Sequence, residues 1–271
     1  MKKTITVNKE KCIHCGLCIK DCFIGCLGFG EDKIPAYRPG MEQNCAGCQH
    51  CMTVCPRGAL SFGGLNPDEM QKSTFADPDD LLGMIKSRRS VRSYKQKDVP
   101  SDKIEKIKEM LSYPPTGGNF DNLHFTIIVS NERMNEIRKI TYDAISSLTP
   151  ESPMYQMKGF VEASVAAGRD IVYAGAPAMI VAAVNKSLFA PGCDTVDPII
   201  ALSYFELYAA SLGLGTLWDD FAVTVAAAIP EVYGKLEIPD DYKLSFILTF
   251  GEPAVKYPRA PKKNAHSIKV I

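Results

Sequence analysis

Residues 12 to 22 read CIHCGLCIKDC, and residues 45 to 56 read CAGCQHCMTVCP. Both stretches have the spacing C-x2-C-x2-C-x3-C, and each cysteine of the second lies 33 positions after its counterpart in the first. The repeat extends beyond the thiols, because three further residues recur at this interval: Gly25, Leu27 and Phe29 as Gly58, Leu60 and Phe62. An internal duplication therefore organises the N-terminal part of the chain.

The spacing has a chemical reason. Thiolates at every third position of a tight loop can surround three corners of an iron–sulfur cube, and the fourth cysteine, one residue farther on, reaches another cluster. Zinc sites take pairs of ligands from separate knuckles, and scattered cysteine pairs would indicate disulfides. Because nine of the ten cysteines lie within the first 55 residues and eight of them form two dense runs, the pattern favours two [4Fe–4S] clusters over both alternatives.

The duplicated motif resembles two-cluster bacterial ferredoxins, in which the fourth cysteine of each run binds the other cluster. The resemblance implies that one cluster is bound by Cys12, Cys15, Cys18 and Cys55. It implies that the other is bound by Cys45, Cys48, Cys51 and Cys22. Phe23 stands where the second run has Pro56, which removes no ligand. Cys26 aligns with Ala59 and is interpreted as a packing residue, and Cys193 as a lone thiol.

Composition excludes several classes of protein. The chain has 271 residues, of which 46% are hydrophobic, so it can form a core and is not a disordered chain. Lys and Arg together number 31, as do Asp and Glu, so no net charge points to nucleic acid or an anionic membrane. No apolar run follows the first lysines, and the longest apolar stretch is too short to span a bilayer. We expect a soluble, cytoplasmic protein.

The chain length and a change in pattern indicate two domains. We predict a ferredoxin-like domain over residues 1–64, a linker over 65–77 after a Gly-Gly-Leu-Asn-Pro turn, and a second domain over 78–271. Helices are predicted to begin at Asp77-Pro78, with an apolar face of Leu81, Leu82 and Ile85, and at Ser101. Buried strands are predicted at 124–130, 178–184 and 244–251. The second domain is therefore assigned to the α+β class.

One further helix is predicted to start at Asp197-Pro198 and to end at Gly213. It is apolar nearly all round, so it must be covered on every side. Two arrangements satisfy this requirement: a helix at the centre of the domain, or a helix shared with a second subunit.

Residues 88–259 resemble the FMN-dependent nitroreductase family in four stretches: RRSVRSY from residue 88, PTGGN from 115, LGLGTLW from 212, and GEP from 251 with the basic residues after it. The resemblance implies a homodimer that binds FMN, with the turn at 115–119 covering the flavin ring of the partner subunit. Chemistry then takes place at flavin N5, so no catalytic side chain is assigned. The implied cofactor-binding residues are Arg88, Arg89, Ser90, Arg92, Pro115, Thr116, Gly117, Asn119, Gly215, Trp218, Asp219, Asp220, Lys256 and Arg259.

The chain departs from the family pattern in two places. Asp121 and Asn122 replace Gln-Pro on the substrate side, so the resemblance does not extend to substrate specificity. Asp219 and Asp220 follow Trp218, where the family has small or apolar residues. We hypothesise that these carboxylates disfavour a reduced, anionic flavin and lower its potential. No complete dinucleotide-binding glycine motif is present, although NAD(P)H can dock directly on the flavin in this family.

Together the two parts predict an electron path. A low-potential donor, ferredoxin-type or NAD(P)H-linked, would reduce the clusters, and FMN would reduce a small organic acceptor of nitroaromatic or quinone type. Two alternatives remain open. The same scaffold could perform reductive dehalogenation or other flavin chemistry, or the protein could be an electron-transfer or redox-sensing protein without a dedicated small substrate.

Overall fold

The computed structural model of the protein describes residues 3–30 and 32–271. The chain forms two compact units. The first reaches Phe75 and also includes Gly118–Phe120, and the second comprises Ala76–Gly117 and Asp121–Ile271. Phe75 falls inside the predicted linker, 65–77. The domain limits proposed from the sequence remain a prediction.

The first unit repeats one local structure. Its elements are β1 (Ile5–Val7), α1 (Leu17–Lys20), β2 (Leu27–Phe29), β3 (Pro35–Tyr37), α2 (His50–Thr53) and β4 (Leu60–Phe62). Helix α2 and strand β4 follow α1 and β2 at the same 33-residue interval as the cysteines. Strand β1 pairs antiparallel with β4, and β2 pairs antiparallel with β3. Met52, Leu60 and Phe62 form the buried core of this unit.

The second unit is built on one four-stranded antiparallel sheet of order β5-β6-β8-β7. Its elements are α3 (Pro78–Ser87), α4 (Ser101–Met110), β5 (Leu123–Ile128), α5 (Asn131–Ser146), α6 (Tyr155–Ala166), β6 (Ala178–Asn185), α7 (Cys193–Ser211), β7 (Gly215–Trp218), α8 (Asp220–Ala228), α9 (Pro230–Gly234) and β8 (Tyr242–Gly251). The mixture of helices and an antiparallel sheet confirms the predicted α+β class.

Both faces of the sheet are covered. Met179 and Val181 of β6 pack on one face with residues of α5, α6, α8 and α9. Ile180 and Ala182, which alternate with them, pack on the other face with residues of α4 and α7. Side chains alternate between faces along a strand, so burial on both sides explains why β6 has an unbroken apolar sequence.

The start of α3 confirms the predicted helix signal. Asp77 caps the helix by accepting hydrogen bonds from the N–H groups of Asp79 and Asp80, and Pro78 occupies the first turn. The start predicted for α7 was wrong, because the helix begins at Cys193 and Pro198 lies inside it. Gly192, immediately before the helix, has a left-handed backbone conformation (φ 80°). The helix therefore starts directly after the glycine and not at the proline.

Two helix faces in the second unit are apolar and exposed. Helix α3 leaves Leu81, Leu82 and Ile85 open to solvent. Helix α7 buries Leu202 and Phe205, but its other face exposes Val196, Ile199 and Tyr204, with Tyr204 47% exposed. Helix α7 is thus not surrounded on every side within one chain, which removes the first of the two arrangements that its sequence allowed.

Candidate functional site

The cysteines of the first unit line two separate cavities. One is lined by Cys12, Cys15, Cys18 and Cys55. The other is lined by Cys22, Cys26, Cys45, Cys48 and Cys51. Each run thus contributes three thiols to one cavity and its fourth thiol to the other. We call them the first and second sulfur cavities.

The loop around each cavity has the same backbone conformation. His14 and Gly16 have positive φ (56° and 72°), and so do the residues 33 positions later, Gly47 and Gln49 (69° and 61°). A left-handed residue turns the chain sharply, so two of them in three residues fold the loop back around the cavity. The two runs therefore present their thiols through one shared loop geometry.

The chemistry of the cavities fits iron–sulfur clusters. Their walls combine thiols with apolar side chains, and in each cavity one backbone N–H points at a sulfur: Ala59 N–H to Cys55 Sγ (3.2 Å) and Gly47 N–H to Cys45 Sγ (3.4 Å). Such hydrogen bonds are among the factors that set cluster potentials. Among the described residues, no three His, Cys, Asp or Glu side chains are arranged around one metal ion.

Burial makes two of these thiols weakly acidic in the metal-free protein. It raises the pKa of Cys18, and it raises the pKa of Cys51 to about 11, helped by the neighbouring Cys45 and Cys48 sulfurs. Metal binding must therefore displace protons from these sulfurs. The individual ligand assignments stay a prediction, although the structure groups the eight thiols as that prediction requires.

The second unit contains an open cavity with basic residues in its wall. Arg88 and Arg89 lie just after α3, Gly215 lies at the start of β7, and Lys256 follows β8. Residues from three of the four family-like stretches thus meet at one place. We call this the basic cavity. Three cations around an open cavity suit an anionic group such as a phosphate.

An acidic residue beside the basic cavity was not predicted. Glu206 of α7 is buried, and its Oε1 accepts a hydrogen bond from Arg88 Nη1 at 2.9 Å. Thr216 Oγ1 lies 3.4 Å from the same oxygen. Glu206 therefore holds the Arg88 guanidinium at the cavity wall. The signal in the sequence was one carboxylate within an otherwise uncharged stretch of the helix, residues 199–210, because buried charges are usually paired.

Gly215 lines the basic cavity, and packing within the second unit explains why this position has no side chain. A Cβ at this position would lie 2.4 Å from Val91 Cγ2. Val91 N–H donates to Thr216 O at 2.9 Å, which joins the segment after α3 to strand β7. Close packing of these two segments requires glycine here, whatever the cavity binds.

The turn at 115–119 does not line the basic cavity. Gly117 N–H donates to the buried Asp197 carboxylate of α7 (3.0 and 3.1 Å). A Cβ on Gly117 would lie 2.4 Å from Cys193 Sγ, so Cys193 packs against this turn. Thr116 Oγ1 accepts from Asp121 N–H. Pro115 precedes this network, and Asn119 lies with the first unit.

The remaining predicted cofactor residues also lie outside the cavity wall. Ser90 bridges to Thr216, Arg92 and Arg259 are exposed, and Trp218 packs against Phe246 with ring centroids 5.2 Å apart. Asp220 is exposed at the start of α8. Neither Asp219 nor Asp220 lines the basic cavity, so nothing in one chain places them beside a flavin, and their effect on its potential stays a prediction.

Asp219 has a structural role that sequence reasoning missed. It is 3% exposed, and its Oδ1 caps α8 by accepting from Ala222 N–H at 2.9 Å. Within the described residues, its Oδ2 and the nearby Thr249 Oγ1 have no hydrogen-bond partner. Burial raises the pKa of Asp219 to about 7, despite the hydrogen bond from Ala222. A carboxyl group is thus kept partly protonated next to β7.

Family models match both units. Residues 85–252 match the model of the nitroreductase family, and residues 11–59 match that of the 4Fe-4S dicluster domain. The second match confirms the predicted ferredoxin-type domain with two clusters. In the described parts of the chain, no helix combines the length and apolar character needed to cross a bilayer.

Similar proteins include a Methanothermobacter thermautotrophicus protein with the provisional name NADH dehydrogenase/NAD(P)H nitroreductase. It is 29% identical over 140 residues, which make up 51% of this chain and 60% of that relative. The match therefore spans less than two thirds of the relative's length. An uncharacterized ferredoxin of Methanocaldococcus jannaschii is 30% identical over 73 residues, which make up 27% of this chain and 95% of that protein.

Two solved structures share the fold. A Bacteroides fragilis nitroreductase with bound FMN has a TM-score of 0.57 and 22% identity, covering 71% of this chain and 98% of that one. A Desulfitobacterium hafniense nitroreductase with bound FMN has a TM-score of 0.53 and 21% identity, covering 72% of this chain and all of that one.

Proposed function

Because this chain belongs to the nitroreductase family and carries an N-terminal ferredoxin-type domain, we propose that it is an oxidoreductase that uses FMN and two [4Fe–4S] clusters. Electrons pass from a low-potential donor through the clusters to FMN, and from FMN to a small organic acceptor of nitroaromatic or quinone type. The observation that carries the proposal is the presence, in one chain, of two cysteine-lined cavities and a basic cavity.

The residues of the basic cavity suit the FMN phosphate. Arg88, Arg89 and Lys256 supply cationic donors, and Glu206 fixes the direction of Arg88. Gly213 leaves backbone exposed at the wall, where the rest of the flavin can approach closely. When bound, FMN accepts electrons singly and delivers a pair or a hydride. The eight cysteine thiolates hold the clusters that supply those single electrons.

We further propose that the protein is a homodimer. The open faces of α3 and α7 are apolar, and these helices pack against each other in the second unit. A second copy would cover both faces, which satisfies the requirement that α7 be buried on every side. In this dimer the 115–119 turn of one subunit covers the flavin ring of the other.

The dimer is tested by sedimentation of the holoprotein. Ile199→Asp places a charge in the apolar face of α7 and is expected to give monomers that lose FMN. Thr224→Asp, on the exposed side of α8, is the matched control and leaves the dimer intact. A wild-type protein that sediments as a flavin-bound monomer contradicts this part of the proposal.

The electron path is tested by anaerobic reductive titration of freshly purified protein, followed by absorbance. The expected uptake is one electron for each cluster and two for the flavin. Reduced protein is then mixed with nitroaromatic and quinone acceptors, and reoxidation is timed. Uptake by the flavin alone contradicts the path through the clusters, and uptake by the clusters alone contradicts the flavin site. Full uptake without reoxidation by any small acceptor favours a carrier or sensor.

A further inference from the structure

Because the first unit is duplicated, each sulfur cavity can be compared with the other, and one of the differences between them is a buried thiol. Cys26 and Ala59 occupy equivalent places, four residues after Cys22 and Cys55 respectively. Both are buried, Cys26 being 1% and Ala59 4% exposed, and each lines its own sulfur cavity. The second sulfur cavity therefore has five thiols in its wall, whereas the first has four.

The fifth thiol is close to a predicted ligand. The Cys26 side chain lines this cavity together with Cys22, four residues before it in the chain, and with Cys45 and Cys48. A [4Fe–4S] cube has four irons and takes four thiolates. If Cys22, Cys45, Cys48 and Cys51 fill those places, Cys26 has no iron to bind and keeps its S–H, which can donate to a neighbouring sulfur.

We propose that the Cys26 thiol donates a hydrogen bond to the Cys22 sulfur and thereby raises the reduction potential of the cluster in the second sulfur cavity. The inference rests on the proposed function, which supplies the clusters. Reduction adds one electron from the donor to the cluster, no covalent bond is made or broken, and the proton stays on Cys26. The added negative charge is shared by the cluster sulfurs, so a donor beside one of them stabilises the reduced state more than the oxidised state.

The first sulfur cavity lacks this side-chain donor. Ala59 presents a methyl group there, and only its backbone N–H reaches Cys55 Sγ. The second cavity also has a backbone donor, from Gly47 to Cys45 Sγ. Tyr37 lines the second cavity too, and its hydroxyl donates to Lys3 O at 3.0 Å. The cavities differ at other positions as well, since Arg57 lines the first where Ile24 lines the second, so only substitutions at positions 26 and 59 isolate the effect of the thiol.

The test is an EPR-monitored redox titration of the holoprotein, which yields a midpoint for each cluster. Cys26→Ala is expected to shift one midpoint to a more negative potential and leave the other unchanged. Cys26→Ser, which keeps a donor, restores most of that shift. Ala59→Cys is expected to move the other midpoint, in the positive direction, with Ala59→Val as the control for added volume without a donor.

Two results overturn the proposal. Unchanged midpoints in Cys26→Ala, with both clusters present, mean that the thiol only fills space. Loss of a cluster in Cys26→Ala and Cys26→Ser means that Cys26 is a ligand or a structural residue. Failure of the proposed function is distinguishable, because it would show as missing clusters in the wild-type protein.

Discussion

The two units build their sites in opposite ways. Each sulfur cavity takes three thiols from one seven-residue stretch, whose positive-φ residues turn the loop around them. The wall of the basic cavity includes Arg88, Gly215 and Lys256, which lie in three segments that are distant in sequence and meet only in the folded domain. Glu206, in a fourth segment, contacts Arg88. Local backbone geometry therefore specifies the sulfur cavities, whereas the basic cavity depends on the fold of the whole domain.

The comparison predicts that the two kinds of site can be lost separately. Cys51→Ser should remove the cluster of the second sulfur cavity, and with it about half of the bound iron and sulfide, because serine is a poor ligand for this cluster. FMN content should stay at the wild-type level, since the basic cavity belongs to the other unit. Iron, sulfide and flavin analysis of the purified variant measures this.

Cys193→Ser is the matched control for that experiment. Cys193 lies outside both sulfur cavities and packs near Gly117, so its iron and sulfide content should equal that of the wild type. Loss of FMN together with iron in Cys51→Ser would show that the two units do not hold their cofactors independently.

The buried carboxyl of Asp219 predicts a pH dependence of the second unit. The pKa of Asp219 is raised to about 7 in the folded protein, so its contribution to stability is fully present below about pH 4 and is lost as the pH rises through 7. Asp219→Asn keeps the cap on α8, and its amide can donate to Thr249 Oγ1. Relative to the wild type, the free energy of unfolding of the variant should increase by up to about 4 kcal/mol as the pH rises from 4 to 8.

Urea unfolding followed by the fluorescence of Trp218, the one tryptophan of the chain, measures this difference. Asp220→Asn, at the exposed neighbouring position, is the control and should follow the wild-type pH profile. Parallel profiles for Asp219→Asn and the wild type would contradict a raised pKa. The same two variants, titrated for the flavin midpoint, test whether either carboxylate acts on the flavin.

The Arg88–Glu206 pair predicts a smaller effect that depends on tertiary contact. Arg88→Leu leaves the buried Glu206 carboxylate without its cation, which should cost about 3 kcal/mol of stability. Arg88→Leu combined with Glu206→Leu should recover most of that loss, because no buried charge remains unpaired. Both variants should bind FMN more weakly than the wild type, as each lacks one cation of the basic cavity.

The Arg89→Leu variant separates the contribution of these cations to stability from their contribution to FMN binding. The same unfolding and FMN-binding measurements are used. Arg89 lines the same cavity and, among the described ion pairs, has no carboxylate partner. The Arg89→Leu variant should therefore bind FMN more weakly than the wild type, with little loss of stability. Equal destabilisation by Arg88→Leu and Arg89→Leu would show that Glu206 does not depend on Arg88.

Some elements of the second unit followed from sequence and others did not. Strands β6 and β8 were predicted because their apolar runs are long enough to stand out. Strand β7 was missed, since Gly215–Trp218 is four residues long and begins at a glycine. Its strand character comes from pairing with β8 and with the segment at Ser90. Short segments become strands through their neighbours, which a sequence pattern does not contain.

The sequence by itself determined the two cluster motifs, their duplication and the family of the second unit, because these depend on residues close together in the chain or in fixed order. Only the tertiary structure decided that Glu206 holds Arg88, that Gly215 is required by Val91, and that Asp219 is a buried cap. It also showed which face of α7 is left open. Pairing and burial arise between segments distant in sequence, so their energies are fixed only when the chain is folded.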